Sequence, residues 1–155
     1  MLLDEAYKRN TTTGLKFEKA ITLSLKEANE HTVDTQVVIG NKRNGRKHRV
    51  DIILDGKDLI SLKYQGVEGT AEEKVNHEFM KLQHAIDDFG YESATIVIDD
   101  PNEAWTWKDF YLSEEFKGQM KSLYPGVTIM DSKEFSQRYN LSFTSRSYST
   151  EPLNE

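Results

Sequence analysis

The sequence predicts an α/β domain (α+β, with a mixed β-sheet) whose central sheet is flanked by helices. Helix-like and strand-like segments follow one another in the order helix, three strands, helix, strand, helix, strand. The turn signal Asp55-Gly56-Lys57 separates two apolar β-type runs, which predicts an antiparallel hairpin. A later run over 93–100 is nearly continuous in apolar residues, as is typical of a strand covered on both faces.

The first half of the chain predicts one helix and three strands. Apolar residues recur at helical spacing after Thr13, which is a suitable N-cap. The strand-like runs behind this helix are rich in β-branched residues, and Gly40 ends the first of them. Asn44-Gly45 marks a turn in the loop that follows. The predicted bounds are 11–31 for the helix and 32–40, 48–54 and 58–64 for the strands.

The second half predicts helices that alternate with strands. Its strongest helix has Thr70 as N-cap, Glu72 and Glu73 in the first turn, and Gly90 as its stop. The segment after the strand over 93–100 predicts a helix in two pieces. The remaining bounds are 69–90 and 102–125 for these helices, 126–131 for a last strand and 132–140 for a last helix. Residues 1–140 therefore predict one domain, with 141–155 as a loose tail.

Composition excludes several classes of protein. The chain has 155 residues, a net charge of −6 and no cysteine, so disulfides and thiolate metal sites are excluded. No apolar run approaches the roughly 18 residues that a membrane helix needs. The N-terminal residues show no signal peptide pattern, so we expect a protein of the cytoplasm.

One segment runs against the acidic charge of the chain. Residues 41–49 contain basic side chains and no acid, which predicts a local surface for phosphate groups on an acidic protein. The alternative is a solvated hairpin loop with no ligand. The candidate DNA-binding residues are Lys42, Arg43, Arg46, Lys47 and Arg49.

Asp51 and Lys63 are expected to face the same place. The hairpin turn carries its two strands past each other, and side chains alternate with a period of two along a strand. Ser61 and Lys63 therefore share a face, and Asp51 shares it if the register permits. A carboxylate and a lysine beside a basic loop suit a divalent cation and a phosphate. The alternative is a lysine whose stem lies along the sheet while its ammonium group reaches solvent.

This hairpin resembles a nuclease motif. Val50-Asp51, nine intervening residues and then SLKYQ at Ser61–Gln65 are similar to the motif of the PD-(D/E)XK nuclease superfamily. That superfamily includes most type II restriction endonucleases, repair and junction nucleases and small homing endonucleases. Its core has a similar order of elements, so the resemblance implies a restriction-endonuclease-like core. The similar region extends over residues 13–100.

The resemblance implies a role for each matching residue. Asp51 matches the aspartate that binds the metal ion, and Lys63 matches the lysine that assists the attacking water. The backbone carbonyl of Leu62 matches a further metal ligand, and Gln65 stands where many members have a glutamine near the site. The implied cofactor is Mg²⁺, for which Mn²⁺ can substitute.

Ser61 departs from the motif, which has an acid at this position. One branch of restriction endonucleases also has a serine there, and the following helix supplies the acid. Glu72 and Glu78 lie at opposite edges of that helix's apolar stripe, and we favour Glu78, which follows Lys74 by one turn as in that branch. The alternatives are that Glu72 only complements the helix dipole and that Glu78 only pairs with Lys74.

Glu18 is a further candidate acid. The segment GLKFEKA resembles the first helix of the superfamily, where a glutamate often points into the site. Its alternative is a solvated position on the helix surface.

These features predict a metal-dependent DNA endonuclease of the homing or restriction type, from a phage or a bacterium. It would act on double-stranded DNA in a bacterial or phage-infected cell. One such site cuts one strand, so we expect a homodimer or homotetramer. The alternatives are a junction or repair nuclease, a nuclease-fold protein that binds DNA without cutting it, and an ordinary α/β interaction domain.

Overall fold

The structure is a computed structural model that describes residues 16–28, 30–65 and 74–141. Its described part contains one five-stranded sheet whose strands lie side by side in chain order. The strands are β1 (Val33–Asn41), β2 (Lys47–Leu54), β3 (Asp58–Tyr64), β4 (Ser93–Asp99) and β5 (Val127–Asp131). The helices are α1, described over 16–27, and α2 (Val75–Phe89), α3 (Lys108–Tyr111), α4 (Glu114–Leu123) and α5 (Ser132–Tyr139).

The sheet is mixed, as predicted. Strands β1, β2 and β3 pair antiparallel, whereas β3, β4 and β5 pair parallel. The hairpin between β2 and β3 turns at the predicted residues, where Lys57 N–H donates to Leu54 O at 3.1 Å. Asp55 and Gly56 both have positive φ, at 55° and 69°, a conformation that aspartate and glycine adopt more readily than most residues.

Helices cover both faces of the sheet. Helices α2 and α4 pack on one face, where Phe79 and Phe116 meet edge to face with ring centroids 5.8 Å apart. Helices α1 and α5 pack on the other face through Phe17 and Phe135, both fully buried. Burying each such aromatic side chain contributes about 1.5–3 kcal/mol, so both layers are held mainly by apolar contact.

Helix α2 carries the most important predicted acid, so its ends matter. It ends at Gly90, as predicted, with φ of 80° and an N–H that donates to Ile86 O at 3.0 Å. At its start Lys74 occupies the N-cap position and makes no side-chain cap hydrogen bond. The predicted cap and first-turn acids, Thr70, Glu72 and Glu73, lie outside the described residues.

The region after β4 differs in detail from the prediction. The helix predicted in two pieces over 102–125 is confirmed as α3 and α4, but residues 101–107 before them are not helical. Ser113 begins α4 because its hydroxyl accepts the N–H of Phe116 at 3.2 Å. The predicted last strand and last helix are confirmed as β5 and α5. The predicted tail lies outside the described residues beyond Leu141.

Candidate functional site

The candidate site lies where the pairing of β2 with β3 ends. The paired residues run from Leu54↔Asp58 to Ile52↔Ile60. Two residues further along β3, the N–H of Leu62 donates to the side chain of Asp51, with 2.7 Å between Leu62 N and Asp51 Oδ2. The Asp51 carboxylate therefore lies between the two strands at this point.

Burial disfavours the ionised form of the Asp51 carboxyl. Burial raises the pKa of the Asp51 carboxyl above its ordinary value, and the nearby Glu78 carboxylate raises it further. The Leu62 N–H and the Lys63 ammonium group lower this pKa, but they do not offset the burial. A cation beside a buried carboxyl of this kind would stabilise its ionised form.

The backbone of Leu62 presents an oxygen at the same place. In a β-strand the N–H and the C=O of one residue point toward the same neighbouring strand. Because the Leu62 N–H points to Asp51, the Leu62 carbonyl also points into the gap between β2 and β3. This orientation is the one that the predicted role of Leu62 as a metal ligand requires.

Glu78 reaches the sheet from the first turn of α2. It is buried, and its Oε1 accepts the Ser61 hydroxyl at 2.9 Å. Its Oε2 lies 3.4 Å from Lys63 Nζ and 2.9 Å from Lys81 Nζ. Ser61, the residue that departs from the motif, is thus in direct contact with the acid that we favoured as its replacement.

Two lysines shift the pKa of Glu78 in the opposite direction to the pKa of Asp51. Burial alone would raise the pKa of the Glu78 carboxyl, but Lys63, Lys81 and the Ser61 hydroxyl outweigh burial and lower this pKa to about 2. The alternative in which Glu78 pairs with Lys74 is wrong, because Lys74 is exposed and the partners of Glu78 are Lys63 and Lys81. Glu78 is ionised at neutral pH and both of its oxygens are engaged.

Glu18 belongs to the same cluster through a residue that the sequence did not suggest. The Gln36 amide Nε2 lies 2.8 Å from Glu18 Oε1 and 3.3 Å from Asp51 Oδ1, so one amide links the two carboxylates. Gln36 stands in β1 opposite Asp51 and has a φ of 51°. Helix α1 therefore places the Glu18 carboxylate beside this cluster, where the sequence predicted a candidate acid.

Gln65 and Glu72 are the remaining residues predicted near the site. Gln65 is buried just beyond β3, and its N–H donates to Asp99 O at 3.1 Å. Glu72 lies outside the described residues. The structure thus brings together Asp51, Leu62, Lys63, Glu78 and Glu18, with Gln65 two residues beyond Lys63.

The basic segment forms a tight turn between β1 and β2. Lys42 N–H donates to Arg46 O at 2.7 Å, and Gly45 N–H donates to Lys42 O at 2.8 Å. Arg43 makes two hydrogen bonds of 3.0 Å to Asp88 on α2, which raise the pKa of the guanidinium. Lys42 is half-buried against α2. Arg46, Lys47 and Arg49 are exposed.

The oxygen donors of the site suit a hard divalent cation. Mg²⁺ binds carboxylate and carbonyl oxygens, and Asp51, Glu78 and the Leu62 carbonyl supply both kinds. Among the described residues there is no group of three or more His, Cys, Asp or Glu side chains that could hold a metal ion. A set of two carboxylates and one carbonyl falls below that count. The ammonium groups of Lys63 and Lys81 also contact Glu78 Oε2, the oxygen to which a metal cation would bind.

Two contributors to this site were missed by sequence reasoning. Lys81 lies three residues after Glu78, one turn along α2, so helical spacing alone was a sufficient signal for it. Gln36 gave no such signal, because its position depends on the positive φ in β1 and on the pairing with β2.

Comparisons with known proteins add little to this geometry. No protein-family model matches the chain, and no curated protein matches it. One crystal structure, of a protein of unknown function, is similar at 15% sequence identity and a TM-score of 0.45. The similarity covers 76% of this chain and 58% of the other, so this chain spans little more than half of that protein's length. At that level it bears on neither the fold family nor the function.

Among the described residues, none of the helices combines the length and the apolar character that crossing a bilayer demands.

Proposed function

We propose that this protein is a metal-dependent endonuclease that hydrolyses phosphodiester bonds in double-stranded DNA. The observation that carries the proposal is the convergence of a lysine and two carboxylates at one point of the sheet. Lys63 Nζ lies 3.4 Å from Glu78, and Asp51 accepts the N–H of Leu62, the residue before Lys63. This set corresponds to the set that the sequence resemblance implies, with Glu78 in place of the acid missing at Ser61.

Asp51, Glu78 and the Leu62 carbonyl would hold Mg²⁺ or Mn²⁺. A divalent cation in this position polarises a phosphate oxygen and lowers the pKa of bound water, which supplies the nucleophile at neutral pH. Its positive charge would also stabilise the ionised form of Asp51, whose pKa burial raises. At Glu78 the cation would replace an ammonium group as the partner of Oε2.

Lys63 is the residue that we place beside the reacting phosphate. Its side chain is only 18% exposed, so its charge acts in a poorly solvated region. There it orients the attacking water and stabilises the negative charge that develops on the phosphate. Gln36 holds Asp51 in place, and Glu18 in turn fixes the Gln36 amide.

The exposed cations of the β1–β2 turn and of the start of β2 would bind the DNA backbone. Arg46, Lys47 and Arg49 present three positive charges on a chain whose net charge is −6. Such charges bind the phosphate backbone without reading its sequence. The proposed core is restriction-endonuclease-like, and we assign the enzyme to the restriction or homing type. Cutting both strands requires two sites, which a homodimer or homotetramer supplies.

A plasmid-cleavage assay tests the proposal. Supercoiled plasmid is incubated with the purified protein in Mg²⁺ or Mn²⁺, and nicked and linear products are followed over time. Asp51→Asn, Lys63→Met and Glu78→Gln should each lower the rate by about a hundredfold or more. Glu72→Gln and Glu115→Gln, an exposed position on α4, should leave it unchanged. Equal loss in Glu115→Gln, or full activity in Lys63→Met, would contradict the proposed roles.

A second candidate function is DNA binding without cleavage. Two features favour it. Ser61 supplies no carboxylate, and Lys63 and Lys81 both contact the Glu78 carboxylate. Of Asp51 and Glu78, Asp51 is therefore the one that has no ammonium group within 4 Å. In the same assay this protein would shift DNA in a gel at every metal concentration and never cut it. That outcome would replace the nuclease proposal with the binding function.

A further inference from the structure

A cavity of about 280 Å³ lies between the β1–β2 turn and one side of α2, from His77 to Phe89. Two contacts fix its walls. Arg43 and Asp88 join the turn to the helix through their paired hydrogen bonds. Gly40 packs so closely on Phe89 that a Cβ at this position would meet the ring at 2.5 Å. The volume of this cavity is near the lower end of the range typical for small-molecule sites.

The charged side chains of the cavity lining are three cations, Lys42, Arg43 and Lys81, and one acid, Asp88. Lys42 reaches it from the turn and Lys81 from the helix, and three histidines, His48, His77 and His84, lie around them. Among the described residues that line it, Asp88 is the one acid, and Arg43 already neutralises it. This is a local excess of positive charge on a chain with a net charge of −6, so it favours an anion.

The apolar part of the lining favours an anion with an organic body. Met80, Ala85 and Phe89 form this part, and Phe89 presents an aromatic ring. A few placed polar groups within an apolar wall are typical of sites for small organic ligands. A nucleotide combines the two required features, because it has a phosphate for the cations and a flat ring for the apolar wall.

Lys81 connects this cavity with the candidate active site. It lines the cavity and its Nζ also lies 2.9 Å from Glu78 Oε2. An anion in the cavity therefore competes with Glu78 for one ammonium group. His48, which is buried beside them, responds to the same charges. Burial, Lys81 and Lys42 lower the pKa of its imidazole, whereas Glu78 raises it.

We propose that this cavity is a binding site for a nucleotide phosphate, held by Lys42, Lys81 and His48, and that its occupation draws Lys81 away from Glu78. Glu78 then keeps Lys63 and Ser61 as partners and becomes more available to a divalent cation. The phosphate comes either from a free nucleotide or from the DNA strand next to the bond that is cut. The consequence for the cation rests on the proposed function, whereas phosphate binding itself does not.

Binding is tested without metal, so that it does not depend on nuclease activity. Thymidine 5′-monophosphate is titrated into the protein in a buffer with EDTA, and the imidazole signals of His48 are followed by NMR. We expect saturable binding and a rise in the pH at which His48 titrates, because the bound phosphate stabilises the imidazolium. The groups facing this imidazole are Lys42, Lys81 and Glu78.

Matched variants locate the site. Lys42→Ala and Lys81→Met should each weaken the nucleotide by about tenfold or more, as expected for the loss of a charge-assisted hydrogen bond. Lys133→Ala removes the same charge from an exposed position on α5, across the sheet, and should change nothing. The absence of saturable binding to wild type, or an equal loss in Lys133→Ala, would overturn the site.

A DNA competition separates the two sources of phosphate. A short duplex that displaces the nucleotide from His48 assigns the site to the substrate strand, and simultaneous binding of both assigns it to a free nucleotide. Binding of the nucleotide by a protein that never cleaves plasmid would refute the nuclease proposal alone. Cleavage by a protein that binds no nucleotide would refute the cavity proposal alone.

Discussion

Asp51 and Glu78 belong to the same candidate site, but their pKa values are shifted in opposite directions. Asp51, on the sheet, has its pKa raised because burial outweighs its donors. Glu78, on α2, has its pKa lowered to about 2 because two lysines and Ser61 outweigh burial. The difference teaches that burial raises the pKa of both carboxyls and that the neighbouring residues decide the direction of the net shift. A cation would stabilise the ionised form of Asp51, whereas Glu78 already contacts the ammonium groups of Lys63 and Lys81.

The largest expected effect comes from removing both cations of Glu78. The double variant Lys63→Met, Lys81→Met leaves a buried carboxylate with only the Ser61 hydroxyl, and we expect a loss of about 3–5 kcal/mol in the free energy of unfolding at neutral pH. Urea unfolding measures it, with Lys133→Met as the exposed control. A loss no larger than that of the control would show that the lysines do not stabilise Glu78.

Acid should remove the stabilising contribution of Glu78, whereas it should relieve the cost of the buried Asp51 anion, whose folded pKa is raised. The folded pKa of Glu78 is about 2 against an ordinary value of 4.5, so its stabilising effect is present above 4.5 and is lost as the pH falls toward 2. We expect wild type to lose about 2–3 kcal/mol more than Glu78→Gln over this interval. Parallel stability curves for the two proteins between pH 5 and pH 2.5 would contradict the ion pairs.

Single amide substitutions should separate the two carboxylates at neutral pH. Glu78→Gln removes the partner of two poorly exposed lysines and should cost about 1–3 kcal/mol in stability. Asp51→Asn removes an anion that burial disfavours, so it should be neutral or stabilise by up to about 1 kcal/mol without metal. Thermal or urea unfolding of Glu78→Gln and Asp51→Asn in EDTA measures the two changes in stability. Equal losses in the two variants would contradict the proposed difference between the carboxylates.

The same contrast explains what the sequence could and could not predict. The fold followed from local signals, since Asp55–Lys57 and Gly90 act through their own backbone conformations. Glu78 was predictable because helical spacing fixes which edge of α2 faces the sheet. The division of Asp51 and Glu78 into an unsatisfied and a satisfied acid was not predictable. It depends on distances between β3 and α2 that no local pattern encodes.

Gln36 and the cavity show the same limit. The link between Glu18 and Asp51 needs β1 to bring a glutamine into register with Asp51, which is a tertiary outcome. The basic segment was predicted as one surface, but the structure divides it. Arg43 is committed to Asp88, Lys42 faces the cavity, and Arg46 remains exposed with the other two cations.

Calorimetric titration with Mn²⁺, in the absence of DNA, tests the central claim most directly. The account predicts one site in wild type, weakened by about tenfold or more in Asp51→Asn because a principal oxygen donor is lost. It also predicts tighter binding in Lys81→Met, where one competing cation of Glu78 is absent. Binding that is unchanged in Asp51→Asn, or no binding by any of the three proteins, would contradict the account.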